Sequence, residues 1–172
     1  MAMATRTPDG ITQEHESNSR RANPWPLLLL AALLATGLSG MFAGQPATMR
    51  RAVSNSAALA VRMPDILRNG MAFETIVEVT PRRPVGDLVI AMSDGLWREM
   101  TINTLMPAAG EESHKDASHR FSFGPAEAGE TFRFKIDGQI NPPLFAGTSG
   151  MITALDGETV LATVPVRIKV LP

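Results

Sequence analysis

The sequence predicts a mainly β protein, a single N-terminal transmembrane helix followed by a seven-stranded antiparallel β-sandwich. Three observations predict it. Residues 25–44, WPLLLLAALLATGLSGMFAG, are twenty residues without a charge. As a helix rising about 1.5 Å per residue they would span roughly 30 Å, the hydrocarbon thickness of a bilayer. From residue 64 onward, apolar and polar residues alternate with period two in seven short runs. Among these runs stand Asn69-Gly70, Asp94-Gly95, Asp137-Gly138 and Asp156-Gly157, dipeptides that tolerate the positive φ of tight hairpin turns.

Residues 1–24 form a polar arm with no sustained apolar period, and disorder is the expectation there; His15 is read as solvated. Residues 25–44 read as a retained anchor rather than a cleaved signal peptide. The segment before them is long and contains acidic residues, and no A-x-A pattern cleanly follows the leucine run. Arg20 and Arg21 lie nearer the apolar edge than Arg50 and Arg51. That places the N-terminus in the cytoplasm and the following domain on the periplasmic or extracellular side of the inner membrane. Small residues recur every fourth position in two rows, Ala31, Ala35, Ser39 and Ala43 beside Ala32, Thr36, Gly40 and Gly44. Such rows let a second helix backbone approach closely, so they predict a helix-packing interface.

Residues 45–63 read as a juxtamembrane linker or a short amphipathic helix, with Met49, Val53, Ala57 and Ala60 near one helical face. Residues 64–172 form the sandwich domain. Its strands are marked by Met71 to Thr80, Leu88 to Met92, Met100 to Met106, Phe121 with Phe123, Phe132 to Ile136, Ile152 with Ala154, and Val160 to Val170. One apolar and one polar face per strand is the pattern of antiparallel sheets with one side wet.

The stretch FSFGPAEAGETFRF, residues 121–134, resembles the sheet-crossing segment of immunoglobulin-like domains in bacterial surface and membrane-anchored proteins. In those, a strand ends, a Gly-Glu corner follows, and the next strand enters the other sheet. Residues 164–172 are similar to their last strand. The resemblance implies an immunoglobulin-like sandwich and implies no chemistry. The chain departs from antibody-type domains, having no cysteine pair and no tyrosine.

Charge and composition narrow the function. Residues 1–62 carry a net +3 and residues 63–172 a net −4. A mildly acidic domain lacks the basic face that nucleic acid requires. The absence of cysteine excludes disulfides, thiolate metal sites and cysteine nucleophiles. Hydrolase elbow, P-loop and G-x-G-x-x-G signatures are absent, so the chain is read as a non-enzyme that needs no cofactor.

Within the domain only His114 and His119 offer imidazole. With Glu111, Glu112 and Asp116 they lie in what reads as a charged loop, a weak metal candidate whose spacing matches no known motif. A thioether copper site from Met71, Met92, Met100 and Met106 competes with the simpler reading that these residues fill the core. Trp97 is read as core or interface, and Leu144 with Phe145, after Pro142-Pro143, as an apolar docking tip.

The leading functional expectation is a non-catalytic accessory subunit of a larger bacterial membrane complex, such as a respiratory or photosynthetic one. Its helix would sit in the lipid bilayer against integral membrane subunits, and its sandwich would brace the complex from outside. The alternative is a membrane-tethered ligand- or metal-binding module.

Overall fold

The computed structural model describes residues 23–41, 46–142, 144 and 146–172. These divide into two units, with the break between Ser39 and Gly40.

Among its described residues the first unit holds one helix, α1 (Trp25–Leu38), of 14 residues. Pro26 sits in its first turn, where the missing N–H costs no hydrogen bond. The helix stops early. Ser39 caps it through an N–H bond to the Ala35 carbonyl, and Gly40 follows at φ 68°, the left-handed conformation that ends a helix. At about 1.5 Å per residue, 14 residues reach roughly 21 Å, short of the roughly 30 Å of a bilayer core. Among the described residues no helix is long and apolar enough to cross a membrane, which overturns the expected transmembrane helix.

The second unit is a two-layer β structure of eleven strands. They are β1 (Thr48–Val53), β2 (Ala57–Met63), β3 (Ile66–Arg68), β4 (Ala72–Pro81), β5 (Leu88–Ser93), β6 (Met100–Met106), β7 (Glu111–Lys115), β8 (Ser118–Ser122), β9 (Phe132–Ile140), β10 (Thr148–Asp156) and β11 (Thr159–Leu171). A one-turn helix, α2 (Asp94–Trp97), joins β5 to β6. One sheet runs β1-β2-β4-β9-β6 and the other β3-β11-β10-β5-β8-β7. Among the described residues the expected count of seven is therefore corrected to eleven, and the all-antiparallel expectation to one containing a parallel β3–β11 pair.

Two of the added strands lie in the stretch read as a linker or amphipathic helix. Ala57, Leu59, Val61 and Met63 are all at most 1% exposed, so β2 is a core strand and the sandwich starts well before residue 64. Alanine at alternate positions blurs the distinction between a period of 2 and one of 3.6, so the segment reads as a linker or a short amphipathic helix rather than a strand. Ser54 holds the β1–β2 turn: its hydroxyl accepts from the Ser56 and Ala57 N–H groups and donates to the Leu161 carbonyl of β11 in the other sheet. Residues 121–134 cross between sheets as the resemblance implies, from β8 in one to β9 in the other, with Gly129 at φ 81° in the corner.

Asp137-Gly138 is not a turn but lies inside β9. Asp137 faces outward, 3.3 Å from the Lys135 ammonium, which also pairs with Glu74 at 2.7 Å. The Glu74 and Asp137 bonds hold the Lys135 pKa above its ordinary value. Gly138 is required by its partner: a Cβ there would stand 2.7 Å from the Phe73 ring across the strand pair.

If β2 belongs to the core, Leu59→Ala costs about 2–5 kcal/mol of unfolding free energy, whereas exposed Arg62→Ser changes it by less than about 0.5 kcal/mol; urea unfolding measures both. A second expectation concerns Asp65, which joins β2 to β3 and accepts from the Thr48 hydroxyl (2.6 Å) and from the Arg50 guanidinium. Partial burial raises its pKa, but the Thr48 and Arg50 bonds and the Arg50 charge outweigh this, so the carboxyl lies below the usual aspartate range. Its contribution is complete above that range and is lost as pH falls through the depressed folded value. Asp65→Asn therefore lowers stability at neutral pH by about 1–2 kcal/mol and flattens the acid limb of stability against pH.

Candidate functional site

The two sheets are unequal, and the site lies where they stop matching. β6 ends the five-stranded sheet and β7 ends the six-stranded one. On the inner face of the larger sheet, strand register lines up Val164, Ile152, Met92, His119 and His114 in one transverse row. The first three are at most 1% exposed, while the two histidines are about half exposed. The neighbouring row ends in Ile90, Phe121 and Glu112. The inner face thus turns from apolar to polar at its outer strand, beyond the cover of the opposite sheet.

The β7–β8 hairpin creates this edge. Its two-residue turn, Asp116-Ala117, has φ 51° at both positions, as a primed hairpin turn requires. That turn sets His114 directly opposite His119. On the outer face, Arg120 pairs with Asp116 (2.8 Å) and Glu158 (2.7 Å), and Lys115 pairs with Glu158 (2.8 Å). The Lys115 and Arg120 bonds hold the Glu158 carboxyl below the usual range and tie the hairpin to the β10–β11 turn.

The short helix α2 supplies the other side chains. Thr148 of β10 donates its hydroxyl to the Gly95 and Leu96 carbonyls, and the Met151 N–H donates to Ser93. Gly150 leaves the room for this, since a Cβ there would run into Ser93 and Leu96. The Asp94 N–H donates to the Ala117 carbonyl at 2.9 Å, joining α2 to the hairpin turn. Asp94 then meets His114 Nε2 at 2.9 and 3.0 Å from its two oxygens and His119 Nε2 at 3.5 Å. The His119 ring lies 5.4 Å from Trp97 at 33°, and the His114 and His119 rings meet edge-on at 5.1 Å.

Beside this cluster runs a groove of about 530 Å³ between β6 and β8. Trp97, Met100, Ile102, Leu105 and Phe121 give it an apolar floor; Asn103, Thr104, Glu112 and His119 give it polar walls.

The sequence candidates meet different fates. His114 and His119 come together, but on paired strands rather than in a loop. Trp97 is half-buried, packs against the core and lines the groove. Leu144 is 2% exposed and fills the core, so it is no docking tip; Phe145 lies outside the described residues. Ala31, Ala32, Ala35, Thr36 and Ser39 lie on or at the end of α1, with the Thr36 hydroxyl bonded back to the Ala32 and Leu33 carbonyls. Gly40 is past the helix end, and Ala43 and Gly44 lie outside the described residues. Met92 is buried in the core, Met71 and Met100 pack against it, and Met106 is exposed, so no thioether cluster forms among them. Asp94 was missed. It stands twenty residues before His114, in a dipeptide that reads as a hairpin turn.

No family model matches the chain, and no curated protein matches it. Among solved structures it is similar to the chitin-binding domain of a hyperthermophilic chitinase from Pyrococcus furiosus, with a TM-score of 0.43, 17% identity, and 63% of this chain and 95% of that one covered. It is also similar to a non-cellulosomal cohesin from the archaeon Archaeoglobus fulgidus, with a TM-score of 0.41, 10% identity, and 74% and 93% covered. Both are β domains, and likenesses this loose assign no function to this chain.

Since Asp116-Ala117 sets the histidine register, the turn is open to test. Ala117→Gly relieves the left-handed strain and raises unfolding free energy by up to about 1 kcal/mol, while Ala117→Val lowers it by at least as much, both read by thermal unfolding.

Proposed function

We propose that the chain is a non-catalytic binding subunit that holds an extended segment of a partner protein in the groove between β6 and β8, which the last strand β7 borders. The observation that carries this is an apolar floor lying between two strand edges. Each edge belongs to the last strand of its sheet, and such an edge offers backbone N–H and C=O groups to an incoming strand. Trp97, Phe121 and Ile102 would receive apolar side chains at alternate positions of that segment, and Asn103, Thr104 and Glu112 would bond its polar atoms. A rigid indole at the centre of such a contact carries an outsized share of binding energy.

The immunoglobulin-like resemblance of residues 121–134 fits this reading, since sandwiches of that type commonly serve as interaction modules. A second surface favours the broader accessory-subunit reading. Leu27, Leu28, Leu29, Leu30, Leu33 and Leu34 of α1 are each more than half exposed, an apolar surface that a larger assembly would cover.

Site-specific photo-crosslinking in the producing cells tests the groove. A crosslinking side chain at Asn103 is expected to capture a second polypeptide, and Trp97→Ala to abolish the adduct while the domain stays folded. The same probe at Arg167, exposed on β11, is expected to capture none. Equal yields at the two positions, or none at Asn103, would sink the proposal.

A further inference from the structure

We infer that Asp94, His114 and His119 form a binding site for a divalent first-row transition cation, with Zn²⁺ as the type. One ligating atom from each residue lies within 4.8 Å of those of the other two. Two imidazole nitrogens and a carboxylate oxygen are the donor set of borderline cations such as Zn²⁺, and not of Mg²⁺ or Ca²⁺, which select oxygen. The site rests on this side-chain cluster and stands apart from the groove reading, although His119 belongs to both.

Three elements, α2, β7 and β8, converge to build it, and the Asp116-Ala117 turn ties them together. Asp94 is fixed by its N–H bond to Ala117 and by the seat of α2 on β10. His114 and His119 are fixed by the turn that pairs them. Stacking on Trp97 limits the rotation of the His119 ring. Donors held this way have already met much of the ordering cost of chelation. An Asp94–His114 hydrogen bond alone does not account for the geometry, because His119 also approaches the same carboxylate, at 3.5 Å.

Two consequences follow. Three protein ligands leave one position of a tetrahedral cation for water or for a donor atom on whatever occupies the groove. Because a cation binds the folded arrangement and not the unfolded chain, it also clamps the exposed β7–β8 hairpin to α2 and raises stability by linkage.

The test uses the untagged full chain, stripped of metal with a chelator and titrated with Zn²⁺ alone by calorimetry, with thermal unfolding measured in parallel. Expected are one Zn²⁺ bound per chain, a rise in Tm with Zn²⁺ and none with equal Mg²⁺. His114→Ala and His119→Phe, the latter keeping a ring against Trp97, are expected to weaken binding by at least about tenfold and to cancel the Tm rise. His15→Ala, in the N-terminal arm, is expected to bind as the unaltered chain does. Failure of the unaltered chain to bind Zn²⁺, equal stabilisation by Mg²⁺, or retained affinity in both cluster variants would each overturn the inference. None of those results bears on the crosslink at Asn103.

Discussion

The inner face of a β-sheet is stable only where apolar matter covers it. In this domain a six-stranded sheet faces a five-stranded one, and the consequences of that mismatch organise the molecule. Where the sheets overlap, Leu59, Val61, Val77, Phe134, Ile152 and Val164 close a dry core. Burying each such side chain contributes about 1.5–3 kcal/mol, and together these residues hold the layers in register. Where the overlap ends, beyond buried Phe121 of β8, the inner positions of the larger sheet become His119 of β8 and His114 and Glu112 of β7. A leucine at those positions would face water; a histidine there faces water and can also coordinate.

The connections serve the same constraint. α2 cannot pack as a free turn, because its one buried side chain, Leu96, is pinned over β10 by Thr148 and by the missing side chain of Gly150. That seat aims Asp94 at the hairpin and stands Trp97 between the core and the groove. On the far side of the sandwich, Ser54 binds the β1–β2 turn to β11, so the segment read as a linker or short amphipathic helix became part of the wall. Gly138 shows how tight the interior is: it lies mid-strand because the Phe73 ring occupies the space of a side chain.

Much of the fold was legible. All seven alternating runs became strands, since a period of two with apolar residues inward admits few other solutions. Asn69-Gly70 became a turn, and Asp156-Gly157 marks the β10–β11 hairpin, whose turn residues are Gly157 and Glu158, with Gly70 and Gly157 at positive φ. The two histidines were legible as residues worth watching and illegible as a pair. β7 has no apolar alternation at all, every one of its residues being exposed, so nothing in Glu111–Lys115 announces a strand. Asp116-Ala117 is a primed turn without glycine, which removes the usual signal for a hairpin.

α1 teaches the opposite lesson. Composition alone made residues 25–44 one continuous apolar helix, and backbone geometry ended it at Leu38, with Gly40 in the left-handed region. A glycine in an apolar run reads equally as a packing surface or a stop, because hydropathy carries no dihedral information. By itself, then, the sequence determined the alternating strands of the sandwich and the residue types available for chemistry. Those follow from local periodicity and local turn preferences. Only the tertiary structure decided that β2 is core, that Leu144 is buried, and that Asp94 meets His114 and His119. Those depend on which strand lies opposite which, and on where one sheet ends before the other.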